Sequence, residues 1–252
     1  MRGNRVKQKL QSGEIATVVS GHSISSATID FCGPLGFDGF WIEGEHGSAA
    51  WHQIGDLSRA CDLWEIASVM RVHSHDAGLI GRTLDLGVNG IVAPHVNSRS
   101  QAEQIVAAAR FAPEGKRGIF SGRRSFGEVD YLERANEEVL VVVLIEEHQA
   151  IERLDEILAV DHIDVFFVAP GDLAQTMGFL GQPYHPEVQA VVQDALTRIT
   201  AAGRVAGSLA HSATLARDVE LGARFFLTSF DPWLRAGAQE FLSHVATVGA
   251  HP

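Results

Sequence analysis

Eight short apolar runs punctuate the chain, at 15–20, 38–43, 66–71, 90–93, 139–145, 163–168, 204–208 and 224–228, each rich in β-branched or aromatic residues. They are too short to be helices and too uniformly apolar for a sheet with one wet face, so they read as parallel strands buried on both sides. Longer stretches with apolar positions at helical spacing lie between them. In "SRSQAEQIVAAARFA" (98–112), Ala102, Ile105, Val106 and Ala109 fall on one face. Comparable helices are predicted over 146–160, 185–203 and 212–223. Gly87, Gly203 and Gly222 stand at or near helix ends, where a left-handed cap suits glycine.

Strand and helix alternating eight times over short connections predict an α/β fold, a single closed (β/α)8 barrel (TIM barrel) spanning 1–252. An open doubly wound sheet built from the same units is the alternative. The length of 252 residues matches the roughly 250 usual for such a barrel. No linker or shift in composition divides the chain. Its longest irregular stretch, "APEGKRGIFSGRRSFG" (112–127), has the length of functional or mobile loops.

In a barrel, residues just past the C-terminal ends of the strands face one common mouth, where active sites of this architecture sit. Here those ends carry His22, Glu45 with His46, Arg71, His95 with Asn97, Glu146 with Glu147, Asp172, His211, and Ser229 with Asp231. The charged stretch "WIEGEHGSAAW" (41–51) is then one arc of a polar ring set on apolar strands. Glu146 follows "VLVVVLI" directly and Asp172 follows "VFFVAPG", on strands expected to be adjacent. Two acids that close repel each other and raise one pKa. A hard divalent cation such as Mg²⁺ or Mn²⁺ would remove the conflict. The alternative is that each acid caps the helix that follows it.

Arg71 offers a permanent cationic fork suited to a carboxylate or a developing enolate oxygen, or else to a structural ion pair with a rim acid. His46 is the candidate base, because imidazole titrates near neutral pH. His22, His52, His73, His75, His95 and His211 are expected at the surface or in supporting and packing positions. Lys7, Lys9 and Lys116 end no predicted strand, which disfavours a lysine Schiff base. The chain has no Walker A or GxGxxG motif, and the seventh and eighth strand ends, "GSLAHS" and "LTSFDPW", offer little for a phosphate.

Net charge of −11 argues against nucleic acid as a partner, since phosphate binding needs clustered Lys and Arg. No apolar run reaches the roughly 18–20 residues of a membrane span, and "MRGNRVKQKLQSGE" lacks the apolar core of a signal peptide. A soluble cytoplasmic protein is expected. Cys32 and Cys61 are too few for a disulfide framework and read as buried packing residues.

The segments "WIEGEHG" (41–47), "RVHSHDAGLIGRTLDLGVNGIVAPHVNS" (71–98), "FAPEGKRG" (111–118), "YLERANEE" (131–138), "LIEEHQAIERLDEI" (144–157) and "VAPGDLAQTMGFLGQPYHPEV" (168–188) together resemble the HpcH/HpaI aldolases, the class II pyruvate aldolases. The resemblance runs in order from about Phe37 to Thr228. It implies a metal-dependent barrel, using Mg²⁺, Mn²⁺ or Co²⁺, that reversibly splits a 4-hydroxy-2-oxo acid into pyruvate or hydroxypyruvate and an aldehyde through a metal-stabilised enolate. By the same resemblance Glu146 and Asp172 hold the metal, Arg71 binds the 2-oxo group, and His46 handles the proton. It further implies that Asp85 supports His46 from behind, that Gly171 and Asp172 form the turn receiving the substrate carboxylate, and that Leu209 flanks the aldehyde pocket. Homo-hexamers with a helix exchanged between neighbouring barrels are implied too.

Several positions depart from the family pattern. Glu43 stands where aspartate is usual, lengthening by one methylene the group expected to orient His46; Leu144 replaces a glutamine; Ala169 and Gly171 reverse the usual glycine and alanine around Pro170. The stretch 21–36 fits least well. Two other readings remain at this point: a related barrel lyase acting on an acyl-CoA or another 2-oxo acid, and a barrel that only binds a metabolite.

Overall fold

The computed structural model describes residues 3–249 and turns each apolar run into one strand. The strands are β1 (Ala16–Ser20), β2 (Gly39–Glu43), β3 (Ala67–Arg71), β4 (Gly90–Ala93), β5 (Leu140–Ile145), β6 (Val165–Val168), β7 (Ala206–Leu209) and β8 (Phe225–Ser229). They pair in chain order, all parallel, and β8 returns to β1 in register from Ala16↔Phe225 to Ser20↔Ser229. That last pairing decides between the two predicted architectures, because an open sheet leaves its outermost strands apart.

Helices follow the strands and coat the barrel. α1 (Arg5–Gln11) precedes β1, α2 (Ser26–Cys32) follows it, and α3 (Ile54–Leu63), α4 (Ala77–Asp85) and α5 (Arg99–Ala109) follow β2, β3 and β4. α6 (Tyr131–Glu138) comes before β5, then α7 (His148–Glu152) and α8 (Leu154–Leu158), α9 (Pro170–Thr176) and α10 (Pro186–Ala201), α11 (Leu215–Glu220) and α12 (Asp231–Gly249). Asn4, Ser25, Asp76 and Ser98 cap α1, α2, α4 and α5 through side chains that accept an early backbone N–H. The helix expected over 146–160 breaks in two at Arg153, next to the Ile151 carbonyl that accepts from the Arg198 guanidinium.

Two apolar layers result. The shell between sheet and helices contains Ile42, Ile91, Val143, Ile145, Phe166 and Phe226. The interior is filled by Val18, Trp41, Val69, Val92, Leu140, Val142, Leu144, Val165, Phe167 and Phe225, with Val6 and Leu10 of α1 closing its lower end. Side chains alternate along a strand, so the interior set dictates what the mouth receives next. Leu140, Val142 and Leu144 lead to Glu146; Trp41 leads to Glu43; Ala67 and Val69 lead to Arg71; Phe225 and Leu227 lead to Ser229. The parity that packs the core therefore delivers the polar residues to one place.

Cys32 and Cys61 are both free and buried. Among the described residues, no helix is long and apolar enough to cross a membrane.

Candidate active site

Glu43 and Arg71 face each other across β2 and β3 in direct register. The Arg71 Nε–H bonds both Glu43 oxygens, at 3.0 and 2.8 Å, while Nη1 lies 3.1 Å from Glu45 Oε2. Glu43 also accepts the backbone N–H groups of Glu45 (2.8 Å) and His46 (3.0 Å) and the Trp41 indole N–H (3.2 Å). Burial alone would push its carboxyl up, but the Arg71 bond and charge and the two N–H groups outweigh that and hold it below the ordinary carboxylate range.

The glycines of this stretch are required by the fold of the turn. A Cβ on Gly44 would lie 2.5 Å from the Arg71 carbonyl oxygen, and one on Gly47 would lie 2.4 Å from that of Glu43. Only a residue without a side chain lets the backbone wrap this closely around the Glu43–Arg71 pair.

Glu146 is almost fully buried, at 1% exposure, with Leu144 beneath it. Its Oε1 accepts the His95 backbone N–H at 2.7 Å, and its Oε2 has no hydrogen-bond partner. Burial pushes this carboxyl up; the His95 N–H and charge oppose that, and the neighbouring Asp172 charge adds to the rise. Glu146 caps no helix: the residue at the N-cap of α7 is Glu147, which makes no side-chain capping bond. Asp172 sits in the first turn of α9, whose N-cap is Ala169. A Cβ on Gly171, beside it, would meet nothing within 4 Å, so the start of this turn opens onto free space.

Two predicted contacts are not made. The Glu43 carboxylate was expected to orient the His46 ring; it instead bonds the His46 backbone N–H and Arg71, and the ring, two-thirds exposed, has Glu45 as its nearest carboxylate at 3.7 Å. The reason is chain geometry, because a carboxylate at the start of a tight turn meets the N–H groups two and three residues on before it meets their side chains. Asp85 was expected behind His46, yet it ends α4, a helix that has run back from the mouth, and its carboxylate takes the Arg117 guanidinium at 2.6 Å.

From the sequence, His95, Glu45 and Glu147 belong to the polar ring, and His95 is expected at the surface or in a supporting or packing position. The His95 ring lies between acids: Nδ1 is 2.8 Å from Glu147 Oε1 and 3.5 Å from Glu146 Oε1, and Nε2 is 3.3 Å from Glu45 Oε1. Burial lowers its pKa, but the three carboxylates outweigh burial and raise it. Three acids at ring positions around one histidine were visible in the sequence; what the sequence lacked was the direction of the ring.

A cavity of about 430 Å³ opens beside Arg71's partner Glu43. Trp41, Leu209 and Leu227 wall one part of it, and His46, Ser48 and Ser229 another. At its rim the His22 ring meets Asp231 at 2.9 Å, and the Ser229 hydroxyl donates to the same carboxylate at 2.7 Å, tying the ends of β1 and β8.

The donors fit a hard cation. A buried carboxylate oxygen without a partner, next to a second carboxylate, is the environment such an ion satisfies. Among the described residues no group of three or more His, Cys, Asp and Glu forms a complete cage. Two carboxylates with positions left for water and substrate is the arrangement Mg²⁺-like ions use in enzymes.

The sequence profile described as HpcH/HpaI aldolase/citrate lyase matches residues 21–231. The chain is 35% identical over 233 residues to a hydroxypyruvate/pyruvate aldolase of Pseudomonas aeruginosa, covering 90% of this chain and 87% of that one. It is 36% identical over 224 residues to a 4-hydroxy-2-oxo-heptane-1,7-dioate aldolase of Salmonella dublin, covering 87% and 85%. The crystal structure of an HpcH/HpaI aldolase/citrate lyase family protein from Burkholderia cenocepacia superposes with a TM-score of 0.89 at 28% identity, covering 96% of this chain and 99% of that one.

Proposed function

The chain belongs to the HpcH/HpaI aldolase/citrate lyase family, and on that premise we propose that it is a carbon–carbon lyase that reversibly cleaves a 4-hydroxy-2-oxo acid into pyruvate or hydroxypyruvate and an aldehyde. The observation that carries this reading is the unpartnered, buried Oε2 of Glu146 beside Asp172, at the same barrel mouth as a fixed Arg71.

A divalent ion, Mg²⁺, Mn²⁺ or Co²⁺, held by Glu146 and Asp172 would polarise the 2-oxo acid as a Lewis acid. Arg71 presents its guanidinium to the 2-oxo oxygen, on which negative charge develops as the carbon–carbon bond breaks. Glu43 and Glu45 fix that fork in advance, so no reorganisation is needed as charge appears. The backbone turn at Gly171 and Asp172 receives the substrate carboxylate, in the open space at Gly171. His46, lining the cavity with an accessible ring, takes the 4-hydroxyl proton in cleavage and returns it in synthesis. Leu209, Trp41 and Leu227 give the aldehyde an apolar wall.

The test is release of pyruvate from a 4-hydroxy-2-oxo acid by chelator-stripped enzyme. Turnover is expected to vanish and to return on adding Mg²⁺, Mn²⁺ or Co²⁺. Unchanged turnover in excess chelator rejects the reading. An acyl-CoA substrate finds little support, because the cations its phosphates would need are already engaged in ion pairs: Arg117 with Asp85, and Arg123 and Arg124 with a shared Asp62.

Assembly belongs to the same reading. α12 exposes Trp233, Leu234, Phe241, Leu242, Val245 and Val248, and Phe31 and Leu35 of the α2 region are exposed beside an apolar cavity that Trp233 and Leu234 also line. Apolar surface on this scale marks an interaction face. We assign it to a homo-hexamer in which α12 packs on a neighbouring barrel. Light scattering is expected to give six chains per particle, and Phe241→Glu with Leu242→Glu a smaller species; a monomeric parent protein would overturn the assignment. The free, buried cysteines accord with the cytoplasm as its location.

A further inference from the structure

His95 follows β4 with φ at +53°, in the left-handed region that a residue bearing a Cβ rarely occupies. Such strain persists only where the surroundings over-determine it. Here they do so through the ring, which Glu147 holds through Nδ1 at 2.8 Å and Glu45 approaches through Nε2 at 3.3 Å. Glu45 is itself ion-paired with Arg71. The product of the left-handed turn is a backbone N–H aimed at Glu146 Oε1, at 2.7 Å, and among the described residues this is the one hydrogen bond that Glu146 makes.

A glutamate has three rotatable side-chain bonds, and an apolar floor formed by Leu144 does not by itself choose which oxygen faces the mouth. The N–H of His95 makes that choice by engaging Oε1, which leaves Oε2 buried and unpartnered. We propose that His95 is a positioning residue: its ring, braced by Glu45 and Glu147, holds a left-handed turn whose N–H fixes Glu146 so that Oε2 is presented to the metal. One imidazole thereby links the partner of Arg71, at the end of β2, to the metal-holding carboxylate at the end of β5. The proposal rests on the metal role given to Glu146 above.

Substitution separates the ring from the turn. His95→Ala removes the brace and leaves a residue that disfavours positive φ; His95→Gly removes the same brace but adopts the turn freely. Mn²⁺ affinity of the assembled, substrate-free enzyme, read from free Mn²⁺ by electron paramagnetic resonance, is expected to fall about 10- to 100-fold in His95→Ala, the usual effect of losing a group that orients a metal ligand. His95→Gly is expected to recover several-fold of that loss, the reverse of the order that helix and loop stability usually gives these two residues. Glu147→Gln, which weakens one brace and leaves the turn untouched, is expected to weaken binding a few-fold and keeps the test alive if the alanine variant does not fold. Saturating Mn²⁺ should restore most of the turnover of each. Mn²⁺ binding by His95→Ala within twofold of the parent, or by His95→Gly no better than by His95→Ala, overturns the proposal. A parent enzyme that does not bind Mn²⁺ overturns the metal reading first, and this proposal with it.

Discussion

Arg71→Ala is expected to lower kcat for cleavage of a 4-hydroxy-2-oxo acid by about 10²- to 10³-fold, the usual cost of removing one preorganised group that faces developing negative charge. Arg71 is preorganised because its donors are divided in advance. Nε is committed to Glu43 and Nη1 to Glu45, which leaves Nη2 without a partner among the described residues and able to meet substrate. An interaction made mainly as charge develops should appear in kcat more than in KM. Arg71→Lys keeps the charge but cannot serve two carboxylates and a substrate oxygen from one ammonium, so an intermediate rate is expected. A near-normal kcat in the alanine variant would overturn the role given to this residue.

The same substitution has a signature on folding that separates a damaged site from a damaged fold. In the parent protein the Glu43 carboxyl is held below its ordinary range by Arg71 and the N–H groups of Glu45 and His46, against the opposing effect of burial. A depressed folded-state pKa contributes stability above the ordinary carboxylate pKa and loses it as pH falls through the lowered value. Without Arg71 the depression shrinks, so acid unfolding monitored by circular dichroism should begin at higher pH in Arg71→Ala than in the parent. Near neutral pH, Glu43 and Glu45 lose a shared counter-charge, and some loss of thermal stability accompanies the loss of rate.

The barrel was legible because parallel strands buried on both faces are written as apolar runs, and eight such runs with helices between them leave few topologies. The same arithmetic made half of the site legible: alternation along β5 carries Leu140, Val142 and Leu144 inward, so Glu146 must follow them to the mouth, and Trp41 must likewise be followed by Glu43. What sequence did not hold was the aim of side chains within turns. Glu43 and His46 lie three residues apart, a spacing equally compatible with a ring contact and with the backbone contact that forms. His95 is left among surface, supporting and packing positions by the sequence, because its part depends on a left-handed residue and nothing in "APHVNS" announces one. For a related reason Asp85 does not reach the His46 of its own chain: the family motif names the residue, but the run of α4 carries it away from the mouth to Arg117.

Glu146→Gln should do the most damage to activity while doing none to the fold. The substitution keeps the shape, and it keeps an oxygen to accept the His95 N–H, but it removes the charge and replaces one metal-facing oxygen by an amide that cannot ligate through nitrogen. Loss of one of two carboxylate ligands is expected to weaken Mn²⁺ binding by more than the roughly 10- to 100-fold assigned to an orienting group. Pyruvate release at sub-millimolar metal should then fall below detection. Stability should move the other way, because a buried carboxylate with an unpartnered oxygen next to the Asp172 charge costs the metal-free fold more free energy than a neutral amide at the same place. Each kcal/mol recovered would raise the midpoint by about 2–4 °C in a chain of this size. A melting midpoint above that of the metal-free parent, together with lost Mn²⁺ binding, is the expected pair of results. If the variant melts higher yet binds Mn²⁺ as the parent does, Glu146 is a buried structural acid and the metal lies elsewhere; if it melts lower, Oε2 has a partner in solution and the argument from its isolation fails.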